Sequence, residues 1–110
     1  MFNKQDLSDA INDAHKELSN CRNMLFSDLA ILETSKGVLQ AKKAYAIGSG
    51  EYKDSASNEE GRKVWLLNYC SEEQAAVDHA EANVKQAELD LHHAVDNWDR
   101  LKMLVDLARE

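Results

Sequence analysis

The sequence predicts an all-α protein: an antiparallel two-helix coiled-coil hairpin with a short third helix at the tip, dimerising into a helical bundle. Two observations indicate this fold class. Apolar residues recur at alternating steps of three and four through residues 77–108, which is typical of a helix packed along its length on another helix. The 110-residue chain also has no proline and only four glycines, so little interrupts long helices. We expect a single domain over residues 1–110.

The last predicted helix, about residues 72–108, shows the clearest pattern. Ser71 and Gln74 fit a capping box at its start. One edge of its apolar stripe is mostly alanine, so a partner helix that carries large side chains can approach closely. The stripe consists of Val77, Ala80, Val84, Ala87, Leu91, Ala94, Trp98, Leu101, Val105 and Ala108.

The first predicted helix covers about residues 4–47. Asn3 is its expected N-cap, and the glycines at positions 48 and 50 are expected to end it. Its main stripe consists of Leu7, Ile11, Ala14, Leu18, Cys21, Leu25, Leu29, Leu32 and Leu39. In an antiparallel hairpin, this stripe brings Cys21 near Trp98.

A second stripe on the first helix, here called the apolar row, recurs every seven residues. It consists of Met24, Ile31, Val38 and Tyr45. One partner helix cannot cover both stripes, since together they occupy a wide arc of the helix. We therefore expect either that the short helix covers the apolar row or that the row binds a partner protein or a second copy.

Between the long helices, residues 48–58 are predicted to form a loop and residues 59–70 a short helix. Ser57 and Glu60 fit a capping box at the start of this helix. Because Val64 and Cys70 extend the apolar character nearly all round it, we expect burial on more than one side. Four of its residues, the aromatic cluster, are candidates for the same interface as the apolar row: Trp65, Leu66, Leu67 and Tyr69.

Charge is distributed unevenly along the chain. The net charge of −7 divides into −3 over residues 1–35, +2 over 36–63 and −6 over 64–110. Such an acidic chain repels nucleic acid overall, but its basic middle allows local contact with phosphate. The candidate residues, here called the basic tip, are Lys36, Lys42, Lys43, Lys53, Arg62 and Lys63.

The chain offers no catalytic, cofactor or metal-binding constellation in its sequence. Cys21 lies on the main stripe, which favours a buried structural thiol over a nucleophile. His92 and His93 have carboxylates at helix-face spacing, but Leu91 and Ala94 occupy the inward positions, so both histidines are expected on the flanks. The absence of a long apolar run, the scarcity of cysteines and the lack of an apolar leader predict a cytoplasmic protein without a membrane span.

The second half of the chain combines a short charged stretch, an alanine–glutamate rhythm and a closing Trp-x-x-Leu. These are residues 58–63, Ala80-Glu81 and Ala87-Glu88, and Trp98-Asp99-Arg100-Leu101. With these features the chain resembles small bacteriophage-encoded helical-hairpin accessory proteins, most of which have no assigned function. The resemblance implies a viral protein of the host cytoplasm that binds partners and has no enzymatic activity.

These observations predict a non-enzymatic protein-binding module. It is expected to form a homodimer, to need no cofactor, and to bind or inhibit a host or phage protein through its tip or its acidic stem. The alternative is a nucleic-acid-linked accessory factor that contacts phosphate through the basic tip.

Overall fold

The computed structural model describes residues 3–109, so Met1, Phe2 and Glu110 lie outside the described part of the chain. Within that part the protein is entirely helical, which confirms the predicted all-α class. Its helices are α1 (Lys4–Gly48), α2 (Glu51–Asp54), α3 (Glu59–Tyr69) and α4 (Ser71–Arg109). None of the helices described here is both long and apolar enough to cross a bilayer.

Both ends of α1 use the residues that the sequence indicates. The side-chain oxygen of Asn3 accepts a hydrogen bond of 2.8 Å from the backbone N–H of Asp6, which confirms the predicted N-cap. At the other end, the Ser49 N–H donates to the Tyr45 carbonyl at 2.9 Å. Gly50 then adopts a φ of +87°, in the left-handed region where a residue without a Cβ is favoured.

The connection between the long helices differs from the predicted loop. It contains the one-turn helix α2, whose Asp54 N–H donates to the Gly50 carbonyl at 3.0 Å. The predicted Ser57 cap of α3 is wrong, because the Asn58 side chain accepts the hydrogen bond from the Gly61 N–H at 2.7 Å. A Cβ on Gly61 would lie only 2.7 Å from that of Ala56, so this turn requires glycine.

A single residue, Cys70, joins α3 to α4. Its N–H donates to the Leu66 carbonyl at 3.0 Å, and its carbonyl accepts from the Gln74 N–H at 2.9 Å. Ser71 is therefore the first residue of α4, and the predicted Ser71–Gln74 capping box is wrong. The Gln74 side chain instead donates to Asp78, one turn further along α4, at 3.0 Å.

The chain divides into two compact units, and each long helix contributes to both. The first unit comprises residues 3–28 and 84–109 of the described chain. Its α1 and α4 segments make antiparallel, hairpin-like contacts, since Leu7 lies near Ala108 and Cys21 lies near Ala94. Its buried core consists of Ala14, Leu18, Val84, Ala87, Ala94 and Leu101.

Trp98 lies in the first unit and is half-buried. Its ring contacts His15, with the ring centroids 5.8 Å apart. Cys21, which we expect near Trp98, borders a pocket together with Ala94 and Asn97, the residue before Trp98. These contacts place the register of the hairpin within about one helical turn of the predicted one.

The second unit comprises residues 29–83. In its core, leucines of α1 are combined with valine and alanine of α4, as the alanine-rich edge predicts. The buried residues are Leu32, Leu39, Ala46, Cys70, Val77 and Ala80. Helix α3 has no buried residue, and Val64 and Leu67 are exposed. The predicted burial of this helix on several sides is wrong, since only one of its faces is partly covered.

Candidate protein-binding surface

The apolar row is uncovered in the chain. Ile31, Val38 and Tyr45, in the second unit, are 52%, 54% and 65% exposed, and Met24, in the first unit, is also more than half exposed. The predicted alternative in which the short helix covers this row is therefore wrong. The aromatic cluster lies elsewhere in the second unit: Trp65, Leu66 and Tyr69 are half-buried and Leu67 is exposed.

Each exposed residue of the row in the second unit directly precedes a buried one. Ile31 precedes Leu32, and Val38 precedes Leu39, which is 8% exposed. Because consecutive residues of an α-helix project about 100° apart, the row lies beside the core stripe rather than opposite to it. The row therefore flanks the packed layers of this unit.

Small residues alternate with the large side chains of the apolar row, so that the two together form a second continuous stripe on α1. Thr34, Ala41 and Gly48 are exposed and extend the alternating steps of three and four. We call the resulting surface the uncharged face; it consists of Ile31, Thr34, Val38, Ala41, Tyr45 and Gly48. A pattern of large apolar residues does not include Thr34, Ala41 and Gly48, although their spacing in the sequence is as regular as that of the core stripe.

Lys42, a member of the basic tip, is not available as a free charge. Its Nζ lies 2.6 Å and 3.2 Å from the two carboxylate oxygens of Glu73, on α4. The same Nζ lies 4.7 Å from the centroid of the Tyr69 ring, which stacks on Trp65 with centroids 4.9 Å apart. Two residues of the aromatic cluster are thus part of a packed polar contact between α1, α3 and α4.

The ion pair shifts both partners towards their charged forms. The hydrogen bond from Lys42 lowers the pKa of Glu73 below its ordinary value of 4.5, although burial opposes the shift. The hydrogen bond to Glu73 raises the pKa of Lys42 above 10.5, again against the effect of burial. Both shifts stabilise the fold while both groups are charged.

We expect Glu73→Gln to lower the melting temperature of the protein most strongly between about pH 5 and pH 10. Because the pKa of Glu73 is lowered in the fold, its contribution is present above pH 4.5 and is lost as the pH falls through the lowered value. Because the pKa of Lys42 is raised, its contribution is present below pH 10.5 and is lost as the pH rises through the raised value.

Circular dichroism melts at several pH values measure this effect. Glu72→Gln is the matched control, since Glu72 is an exposed neighbour in the same first turn of α4. If the difference between Glu73→Gln and wild type stayed the same as the pH falls well below 4.5, where the carboxyl of Glu73 becomes protonated, the ion pair would not be its cause.

Two of the other basic residues share a pocket. Lys43 and Lys63 border one pocket of about 240 Å³ together with Leu66 and Leu67. Lys63 also lies 3.7 Å from Glu59, one turn earlier on α3. Lys36 and Lys53 are exposed and Arg62 is half-buried. The structure therefore brings Lys43 and Lys63 together, from two different helices.

A pocket of about 400 Å³ in the first unit brings Cys21 near acidic residues and His93. Burial, followed by the charges of Glu17 and Asp90, raises the pKa of the Cys21 thiol. These surroundings favour the protonated thiol rather than the nucleophilic thiolate. Among residues 3–109, no three His, Cys, Asp or Glu side chains are placed to hold a metal ion.

Comparisons with family models, with curated proteins and with solved structures found no match to this chain. Its surfaces and charges are therefore the basis for a functional argument. The uncharged face is a regular feature of the surface that runs along α1 for about 25 Å. The pocket beside Lys43 and Lys63 is the main alternative.

Proposed function

We propose that this protein is a non-enzymatic protein-binding module and that the uncharged face of α1 binds a helix of another chain. The observation that supports the proposal is the exposure of Ile31, Val38 and Tyr45 at seven-residue spacing. Monomeric proteins seldom leave a regular apolar strip exposed to water, and such strips commonly mark interaction sites.

The geometry of the face favours a helical partner over an extended peptide. Its steps of three and four match the ridge of an α-helix, and small residues between the large ones provide the depressions that receive side chains. Burying the exposed parts of the three large side chains provides about 1 kcal/mol each. This gain is modest against the cost of association, so the binding we propose is reversible.

The biological role that we propose follows the resemblance to phage-encoded accessory proteins. In that role the chain acts in the host cytoplasm and binds or inhibits a host or phage protein. A basic partner would also be attracted by the net charge of −6 that residues 64–110 carry.

A nucleic-acid-linked role through the basic tip is the second candidate. It is supported by the shared pocket of Lys43 and Lys63, two lysines from different helices. The pairing of Lys42 with Glu73 weakens it, because a neutralised lysine contributes little to phosphate binding. Binding of a DNA oligonucleotide that falls steeply between about 50 and 200 mM salt would favour this role.

We expect Val38→Lys to lose most of the protein that the tagged wild-type chain captures from host lysate, because the substitution places a charge in the middle of the face. Ile47→Lys is the matched control. Ile47 lies on the same helix outside the face, is 55% exposed against 54% for Val38, and undergoes the same change of charge. Mass spectrometry of the captured proteins measures the effect. Equal capture by wild type and Val38→Lys would contradict binding at this face.

A further inference from the structure

We propose that the uncharged face also pairs with the same face of a second copy, with the two α1 helices antiparallel. In this arrangement Ile31 lies opposite Gly48 of the second copy, Thr34 opposite Tyr45, and Val38 opposite Ala41. The inference names a partner for the proposed binding surface and so rests on the proposed function.

The order of side-chain sizes is the first argument. From residue 31 to residue 48, the face alternates large and small: Ile, Thr, Val, Ala, Tyr, Gly. Read from residue 48 back to residue 31, the same face begins with a small residue and alternates small and large. An antiparallel pair therefore places a large residue against a small one in each of the six layers, whereas a parallel pair in register places large against large and leaves voids between the small ones.

The distribution of charge is the second argument. Two chains that each carry −7 repel one another, so a surface with few acids favours their approach. The six residues of the face carry no charge, and Glu33, the acid of α1 closest in sequence, projects about 110° away from the centre of the face. Glu72 and Glu73 of α4 border the same pocket as Val38, and Lys42 compensates the charge of Glu73. The exposed Glu72 at the rim is therefore the acid near the face that still opposes the approach of a second copy.

The area of the face and its position are the third argument. The three large side chains are more than half exposed, and they adjoin the buried layers of Leu32, Leu39 and Ala46. A second copy would continue these layers into a four-helix bundle. Because the face extends only about 25 Å along one helix, we expect a small interface and a weak, reversible dimer. We therefore expect a dissociation constant of about 1–100 µM.

Sedimentation equilibrium of the full chain over about 2–200 µM tests self-pairing. We expect wild type and Ile47→Lys to dimerise equally, and Val38→Lys to dimerise at least about tenfold more weakly, because its two lysines lie close to the two-fold axis. Raising the salt concentration from about 50 to 500 mM should strengthen the wild-type dimer, since salt screens the repulsion between acidic copies. An interface held by ion pairs would weaken instead.

Spin labels on Ala30→Cys and Gly37→Cys, in a Cys21→Ser/Cys70→Ala background, test the orientation. Both positions are exposed and lie on the same flank of α1. In the antiparallel pair, residue 37 lies near the two-fold axis and residue 30 lies far from it. The distance between labels at position 30 should therefore exceed that at position 37 by about 15–20 Å. A parallel pair gives equal distances at the two positions.

The outcomes separate this inference from the proposed function. A monomeric wild type at the highest concentration would overturn self-pairing, and equal label distances would overturn the antiparallel arrangement. A dimer that Val38→Lys leaves intact would also overturn the assignment to this face. If the protein is monomeric but Val38→Lys loses captured protein in the lysate experiment, self-pairing is wrong and the proposed function stands.

Discussion

Leu39→Ala is expected to lower the free energy of unfolding by about 2–5 kcal/mol, the range for truncating a buried leucine. Leu39 is 8% exposed and belongs to the core of the second unit. The loss has two parts: the favourable free energy of burying the removed methyl groups, and the cost of the cavity that they leave. Urea denaturation at submicromolar concentration, below the expected dissociation constant of the dimer, measures the effect by circular dichroism with little contribution from self-association.

Val38→Ala is the matched control for this prediction. Val38 is adjacent in sequence and also apolar, but it belongs to the exposed row. We expect its truncation to change the free energy of unfolding by no more than about 0.5 kcal/mol, as for most surface substitutions. Equal losses for Leu39→Ala and Val38→Ala would show that both sides of α1 are packed in the isolated chain and would remove the basis of the proposed binding surface.

Ala80→Leu is expected to lower the free energy of unfolding by about 1–3 kcal/mol, although leucine is the more hydrophobic residue. Ala80 is 3% exposed and lies on the alanine-rich edge of α4, so a larger side chain has to displace the residues packed against it. The matched control is Ala82→Leu, two residues further on and exposed. We expect this control to change stability by no more than about 0.5 kcal/mol. A neutral or stabilising Ala80→Leu would show that the edge is loosely packed.

The long helices and most of their ends could be predicted from the sequence, because these features depend on residues close together in the chain. The Asn3 cap needs only the amide of Asp6, three residues away, and the left-handed turn needs only a glycine at position 50. The apolar stripe of α4 repeats over more than four heptads, so the pattern remains clear even where a single residue departs from it. The buried alanines at 80, 87 and 94 follow from this repeat.

The ion pair of Lys42 and Glu73 could not be predicted, because the two residues are 31 positions apart and neither lies on an apolar stripe. Its geometry depends on the register of α1 against α4, which the pattern leaves uncertain by about one turn. The same uncertainty explains why the pattern does not indicate the contact between Trp98 and His15.

The N-cap of α3 was predicted wrongly because two adjacent residues suit that position equally well. Ser57 and Asn58 are both good N-cap residues, and the close approach of Gly61 to Ala56 decides in favour of Asn58. The candidate binding surface was predicted in part. Its large residues repeat every seven positions, but whether they are covered depends on the position of α3, which the sequence does not specify.

The two tryptophans belong to different units, and this gives the intact chain one fluorescence probe in each unit. Trp98 is in the first unit, beside His15 and with Lys102 Nζ 6.0 Å from its ring centroid, whereas Trp65 is in the second unit, stacked on Tyr69. In Trp98→Phe the indole emission comes from the second unit alone, and in Trp65→Phe it comes from the first. The emission of each variant therefore follows the melting of one unit, without attached dyes and without cutting the chain.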